Sequence, residues 1–293
     1  MAAYAAHDVL IKFLGASLSP LQIAFLIALF GLPPVVLRLA MEQEGFALRP
    51  RRPAWVAART RGMMLAALGA IAAFAALPLT QVYAILFSAP LLITALSVPI
   101  LGERVGAVRW AAIAVGLCGV LIVLRPGQSP LSWAHLAALA SALGSAVAAV
   151  IARRLGDTER ASVLVLWPIL MNLAVSAAAL PWAWRPMGAG QLALGALIAA
   201  LSLAGAVLSL LAYRRAEAAV VAPMQYSQIL WAALYGWLFF AETPDGPTLL
   251  GVAVIVGSGL YILWREARGG PVTESVRAGD AVASPRPEGN PLA

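Results

Sequence analysis

Asp8 and Lys12 stand four residues apart in an otherwise apolar stretch. On a helix that spacing places a carboxylate and an ammonium on one face, in the geometry of an intrahelical ion pair. Such a pair can exchange partners with the two charges of a zwitterionic ligand, and an ionisable group inside a long apolar segment is a candidate functional residue. A second cluster is Gln228, Trp231 and Tyr235, spaced by three and four and hence on one helical face. An amide, an indole and a phenol together suit an amphipathic ligand with a flat apolar part. Tyr83, Phe87 and Ser88 answer to the neighbourhood of Tyr226, Ser227 and Gln228 elsewhere in the chain, Phe74 answers to Tyr213, and Trp167 with Asn172 forms a further candidate pair. Each has a plain alternative. Lys12 can snorkel to water at a helix end, aromatic stripes pack against core or lipid, and a buried glutamine bridges helices. The small-residue stripe Ala134, Ala138, Ser141 and Ser145 reads first as a close-packing surface.

The elements that must position these residues follow from composition. Apolar residues make up 62% of the 293 positions, charged residues 11%, and mean hydropathy is +0.87, values that exclude an ordinary soluble domain. A helix needs about 20 largely apolar residues to cross a bilayer. The chain divides into ten such runs, at 1–18, 20–40, 62–79, 81–101, 108–124, 131–151, 162–181, 190–212, 219–240 and 247–264. With the N-terminus inside, seventeen arginines fall in inner loops and the tail, against Arg125 and Arg185 outside. That is a strong positive-inside bias, and it puts both termini in the cytoplasm. The sequence pI near 10.3 therefore reflects topology. The arginines are spread over short loops, which argues against a nucleic-acid partner. The Arg-rich segment 41–61 reads as an inner loop, partly helical, anchored at the lipid surface. The lone Cys118 lies in an apolar helix and forms no intramolecular disulfide.

The chain also repeats itself. Residues 87–103 (FSAPLLITALSVPILGE) align without gaps with residues 226–242 (YSQILWAALYGWLFFAE), matching Ser88 with Ser227 and Glu103 with Glu242; a one-residue gap then carries the register to Gly119 with Gly259. Setting IKFLG at 11–15 against ARRLG at 152–156 places Lys12 opposite Arg153, and makes the first helix shorter than its counterpart. Equivalent loops differ in charge: 103–109 carries two arginines, whereas 242–247 carries only acids. Opposite sides of the membrane account for that difference, so the expected fold is an all-α integral membrane protein whose ten transmembrane helices form two inverted five-helix repeats around a midplane site. The repeats read as 1–127 and 128–265, followed by a polar, disordered cytoplasmic tail over 266–293.

Ten spans in two repeats, the Ser88, Ala89, Pro90 segment ahead of a Gly102, Glu103, Arg104 turn, the run AHDVLIKFLGASLSPLQIAF at 6–25 and GVLIVLRPG at 119–127 resemble the drug/metabolite transporter superfamily in its EamA-domain branch. The chain is most similar to bacterial aromatic amino-acid exporters of the YddG type. The resemblance implies a secondary transporter of the bacterial inner membrane, exporting small metabolites by alternating access, with amino acids as the expected substrates and broad specificity. Nucleosides, riboflavin, S-adenosylmethionine or organic cations are the alternatives, and a lipid flippase is a third class. The expected substrate-binding residues are Asp8, Tyr83, Ser88, Trp167, Tyr213, Tyr226, Gln228 and Trp231, in a cavity lined by the first, third, fourth, sixth, eighth and ninth spans. The fifth and tenth spans should pack outside it.

An enzyme is not expected: the histidines are His7 and His135, and no H-E-x-x-H, paired-acid or P-loop motif occurs. No metal or other cofactor is expected, and the partners reduce to the substrate and membrane lipid, with the chain a monomer or weak homodimer. The inversion carries a direct test. In a Cys118→Ala background, Asp245→Cys should react with a membrane-impermeant maleimide from the outer face alone; labelling from the cytoplasmic face alone would overturn the topology.

Overall fold

The computed structural model describes residues 1–41, 48–103, 105–126, 131–215 and 224–268. Arg104, the start of the ninth run and the polar tail lie outside the described residues. Regular structure is helical, with no strand among the described residues. The helices are α1 (Ala2–Gly15), α2 (Pro20–Ala40), α3 (Pro53–Ala76), α4 (Leu79–Leu86), α5 (Ala89–Leu101), α6 (Ala107–Leu124), α7 (Trp133–Leu155), α8 (Ala161–Ala183), α9 (Ala189–Arg215), α10 (Ser227–Phe240) and α11 (Gly246–Arg268). Taking α4 and α5 as one, eight segments are long and apolar enough to cross a membrane. α1 and α10, at 14 residues each, are about 21 Å long.

Local signals set several boundaries. α2 starts where Ser19 and Gln22 form a capping box with Pro20 at the first turn. α3 starts at Pro53, nine residues before the predicted 62, so Arg59 and Arg61 are helical rather than loop residues. Tertiary contacts explain the extension. The carboxylate of Glu159 accepts from the backbone N–H groups of Arg51, at 3.1 Å, and Arg52, meeting donors that a helix start leaves free. Val56 packs with Ile151, Leu155 and Val163. The fourth run is broken between α4 and α5, where Pro90 supplies no N–H and the Ser88 hydroxyl donates back to Ile85 O at 2.7 Å.

Two turns share one geometry. α5 ends at Gly102 with φ 74° and α10 ends at Ala241 with φ 54°, both left-handed. The following glutamates donate backbone N–H bonds to Ser97 O and Gly236 O, at 3.4 and 3.0 Å. These residues occupy matched positions of the two aligned segments. Glycine adopts such a turn freely, whereas alanine is strained there, so the geometry at Ala241 is held by its surroundings.

Helices pack through small residues, as membrane helices do. α3 and α7 meet where Gly62 faces Gly144 and Gly69 faces Ser141, and Ser141 Oγ donates to Ala66 O at 2.7 Å. α6 and α11 meet at Gly119 and Gly251 and expose apolar side chains such as Leu121 and Leu249 on their other faces. α2 packs on α8, α1 on α9, and α4 on α10.

The α3–α7 contact predicts its own failure. A Cβ at Gly69 would lie 2.5 Å from Ala137 O, and overpacking of this kind costs about 1–3 kcal/mol. Gly69→Leu should lower the unfolding midpoint in detergent by several degrees. Gly31→Ala, whose methyl meets nothing within 4 Å, should hold or raise it; equal midpoints for the two variants would refute the packing assignment.

Candidate functional site

Three breaks in helical structure converge at the end of the bundle where α1 stops. α3 ends with Leu77 extended, Pro78 has no N–H, and the Leu77 carbonyl needs a donor. Lys12 Nζ supplies it at 2.6 Å and makes an ion pair with Glu242, just past the α10 turn. The other oxygen of Glu242 accepts from Leu79 N at 2.9 Å, and the Lys12 ammonium sits 5.1 Å from the centroid of Phe240. The side chains are only 14% and 19% exposed. The Asp8–Lys12 pair expected from spacing is therefore corrected: Lys12 engages Glu242 and a backbone carbonyl, because one site offers an acid and the orphan acceptor together.

Close by, Arg125 pairs with Asp245. The Arg125 hydrogen bond, followed by that of Thr248, lowers the Asp245 carboxyl from the ordinary 3.8 to about 2. A depressed acid stays paired above its ordinary value, and the pair is lost only as pH falls toward about 2. Asp245 also caps α11, accepting from Thr248 N at 3.1 Å. These groups, with Thr80, Gln81 and Glu242, line a cavity of about 390 Å³ whose wall also includes Pro78, Val123 and Pro244.

Deeper in, Asp8 is buried. His7 Nδ1 lies 2.8 Å from its Oδ1, and Tyr83 OH donates to its Oδ2. The Tyr83 ring stands 5.4 Å from Phe74 and 5.8 Å from Phe87, and Phe87 stands 5.1 Å from Tyr226. Phe87 and Tyr226 are matched positions of the two aligned segments and touch each other. The Tyr226 hydroxyl is buried against Gly259 with no hydrogen-bond partner among the described residues. One carboxylate, two phenols and two phenyl rings thus form a continuous run from α1 through α3 and α4 to α10. It can orient a cation or hydrogen-bond donor while stacking on a flat ring.

The remaining candidates lie elsewhere. Ser88 is buried at the α4–α5 break, bonded to backbone. Trp231, Tyr235 and Phe239 stack along the flank of α10, ending 6.1 Å from Phe13 of α1, with Trp231 exposed. Gln228 is half-buried one turn before them. The Trp167 indole donates to Leu48 O at 2.8 Å, on the segment preceding α3. The side chain of Tyr213 lies outside the described residues.

At the opposite end Glu103 and Arg153 pair at 2.5 Å, with side chains 41% and 55% exposed. They are the positions aligned with Glu242 and Lys12. The pair lines a cavity of about 190 Å³ with Thr94, Ser97 and Arg109, and two further cavities lie in this half. One, about 570 Å³, runs from Arg59 to Leu86 along Met63, Ala66, Ser141 and Ser145; the other, about 300 Å³, is lined by Gly31, Met64, Pro168, Asn172 and Ser202. Met63 and Ala67 line both. Sequence reasoning missed the role of Glu242 and the cavity position of Arg59; the constant offset that pairs Glu103 with Glu242, combined with Lys12 opposite Arg153, was the signal for the first.

A sequence profile of the EamA-like transporter family matches the chain twice, over residues 1–125 and 132–264. A riboflavin transporter of Rhizobium johnstonii is 34% identical over 210 residues, covering 70% of each chain. An S-adenosylmethionine uptake transporter of Rickettsia bellii is 25% identical over 90% of each chain. A pseudopaline exporter of Pseudomonas aeruginosa is 29% identical over 86% of this chain and 89% of its own. One crystal structure superposes over 92% of this chain and 98% of its own, with a TM-score of 0.58 at 19% identity, which shows a shared fold.

The two ion pairs should differ in weight. Glu242→Gln leaves a partly buried ammonium and weakens the contact to Leu79 N, so its cost should be about 1–3 kcal/mol. Glu103→Gln removes an exposed pair worth no more than about 1 kcal/mol. Unfolding midpoints in detergent should fall clearly for the first variant and little for the second; the reverse order would refute the assignment of Lys12, Glu242 and Leu77 as the tight end.

Proposed function

We propose, from the premise that this chain belongs to the EamA-like transporter family, that it is a secondary transporter moving amino acids, aromatic ones included, and amino-acid-containing metabolites by alternating access. The observation that carries this reading is buried Asp8 bonded to Tyr83 and flanked by Phe74, Phe87 and Tyr226. A substrate ammonium replaces the Tyr83 hydroxyl at Asp8 while its ring stacks among the aromatics. Few fixed charges line this run, and one methylene is worth only about 1–3 kcal/mol of discrimination, so selection among side chains is loose and aromatic amino acids are included.

Alternating access is supported by the matched ion pairs. Lys12–Glu242 is tight and sheltered, whereas Arg153–Glu103 is exposed, and the largest of the three cavities described in the half that holds Arg153 begins at Arg59. With two inverted five-helix repeats, 1–127 and 128–265, the two pairs become one latch used twice. Both termini are cytoplasmic in the bacterial inner membrane, from the arginine bias, so this conformation is open toward the cytoplasm and poised to load substrate for export. Gln228, Trp231, Trp167, Ser88 and Tyr213 remain proposed contacts in other conformations of the cycle. A second reading, riboflavin, is favoured by the 34% identical relative, and the rings described above suit an isoalloxazine equally well.

Counterflow in proteoliposomes separates the two. Phenylalanine, tryptophan, methionine and S-adenosylmethionine should exchange, and Asp8→Asn, which removes the charge that takes the ammonium, should reduce the apparent affinity several-fold or more without loss of membrane insertion. Movement of riboflavin with no exchange of any amino acid would transfer the assignment to the second reading.

A further inference from the structure

α8 contains Pro168, whose missing N–H leaves the carbonyl of Leu164, four residues earlier, without its helical donor. Arg59 of α3 fills the gap: Nη1 donates to Leu164 O at 2.6 Å. A guanidinium carries five N–H donors. Its Nε is buried with no hydrogen-bond partner among the described residues, and the side chain lines the cavity of about 570 Å³ between α3 and α7. The other lining residues are methionine, leucine, alanines and two serines, with no acid among them. Both serine hydroxyls donate to backbone, Ser141 to Ala66 O at 2.7 Å and Ser145 to Ala142 O at 2.8 Å. Arg59 is therefore anchored through one donor, its Nε is buried without a partner among the described residues, and the cavity that it lines offers no counter-charge.

We propose that Arg59 is the carboxylate-recognising residue of the transport path, capturing the acid group of a substrate at the mouth of this cavity. An arginine fork takes a carboxylate through two parallel charge-assisted hydrogen bonds, and the low-dielectric wall strengthens them. Arg59 lies 11 positions before Ala70 along α3, about 16 Å from the deep end of the cavity. The captured acid is thus held well short of the aromatic run, and Arg59 acts at entry rather than at the midplane. This deepens the amino-acid reading above and rests on it: it commits the substrate to a free carboxylate, which riboflavin lacks.

The test uses matched pairs that differ only at the acid: phenylalanine with phenylalaninamide, and S-adenosylmethionine with its decarboxylated form. Ligand-induced shifts of the unfolding midpoint are measured on the detergent-solubilised full chain, wild type, Arg59→Gln and Arg59→Lys, with counterflow alongside. In the wild type the acids should bind more tightly than their partners. Arg59→Gln should weaken acid binding about tenfold to a hundredfold and leave the amide and decarboxylated compounds within about twofold, with Arg59→Lys between. Discrimination with one pair only narrows the substrate and leaves the inference standing. An acid preference that survives in Arg59→Gln overturns the role of Arg59 while sparing the transport reading. Absence of any acid preference in the wild type, with riboflavin moving, overturns both. Loss in Arg59→Gln only of stabilisation by phosphatidylglycerol vesicles, with acid preference intact, would make Arg59 a lipid anchor instead.

Discussion

Everything at the site depends on one requirement of a hydrocarbon environment: a backbone group freed by a break in a helix must be met by another group of the protein. Lys12 meets the Leu77 carbonyl where α3 ends. Glu242 meets the Leu79 amide where α4 begins. Ser88 returns to the Ile85 carbonyl at the α4–α5 break, and Arg59 reaches the Leu164 carbonyl that Pro168 orphans. The polar residues of this chain are thus concentrated where helices are interrupted. Side chains recruited to satisfy backbone retain further donors and acceptors, which is why the proposed contacts gather at these places.

The matched turns at Gly102 and Ala241 give this economy its direction. Both place a glutamate just beyond a left-handed cap, and both glutamates meet a cation from a helix aligned with the other's. One pair is sheltered beneath Phe240 and tied to backbone, while the other faces water. Two chemically similar contacts in unlike environments differ in strength, since screening and side-chain entropy erode the exposed one. Under the proposed alternating access, this difference reverses in the opposite state. Strain at Ala241 belongs to the same picture: α10 ends in a conformation that alanine disfavours, so the turn is maintained by the Lys12 and Leu79 contacts of the glutamate that follows it.

Relatives that carry riboflavin, S-adenosylmethionine and pseudopaline place widely different cargo on one family of helices. The packing explains the tolerance. Glycine and alanine surfaces between α3 and α7 and between α6 and α11 set the scaffold and bear no ligand chemistry, so a change of the few aromatic and charged groups elsewhere leaves that scaffold in place.

Hydropathy and composition determined the membrane class and placed most of the helices, because crossing a bilayer demands long apolar runs whatever their neighbours. The repeat also related Tyr83, Phe87 and Ser88 to the neighbourhood of Tyr226, and the structure added Asp8 to them. Partner choice belonged to tertiary structure alone. Spacing along α1 offered Lys12 the carboxylate of Asp8, yet the fold set Glu242, 230 residues away in sequence, beside the unpaired Leu77 carbonyl, and Asp8 turned to His7 and Tyr83. Trp231 and Trp167 looked like ligand contacts by residue type, but the rotation of α10 and the path of residues 48–52 decided which faces they occupy. Arg59 read as a loop charge because its helix is extended by the distant Glu159, a contact that no local pattern encodes. Apolar length is a property of the chain, whereas the partner of a buried charge depends on every group the fold brings within reach.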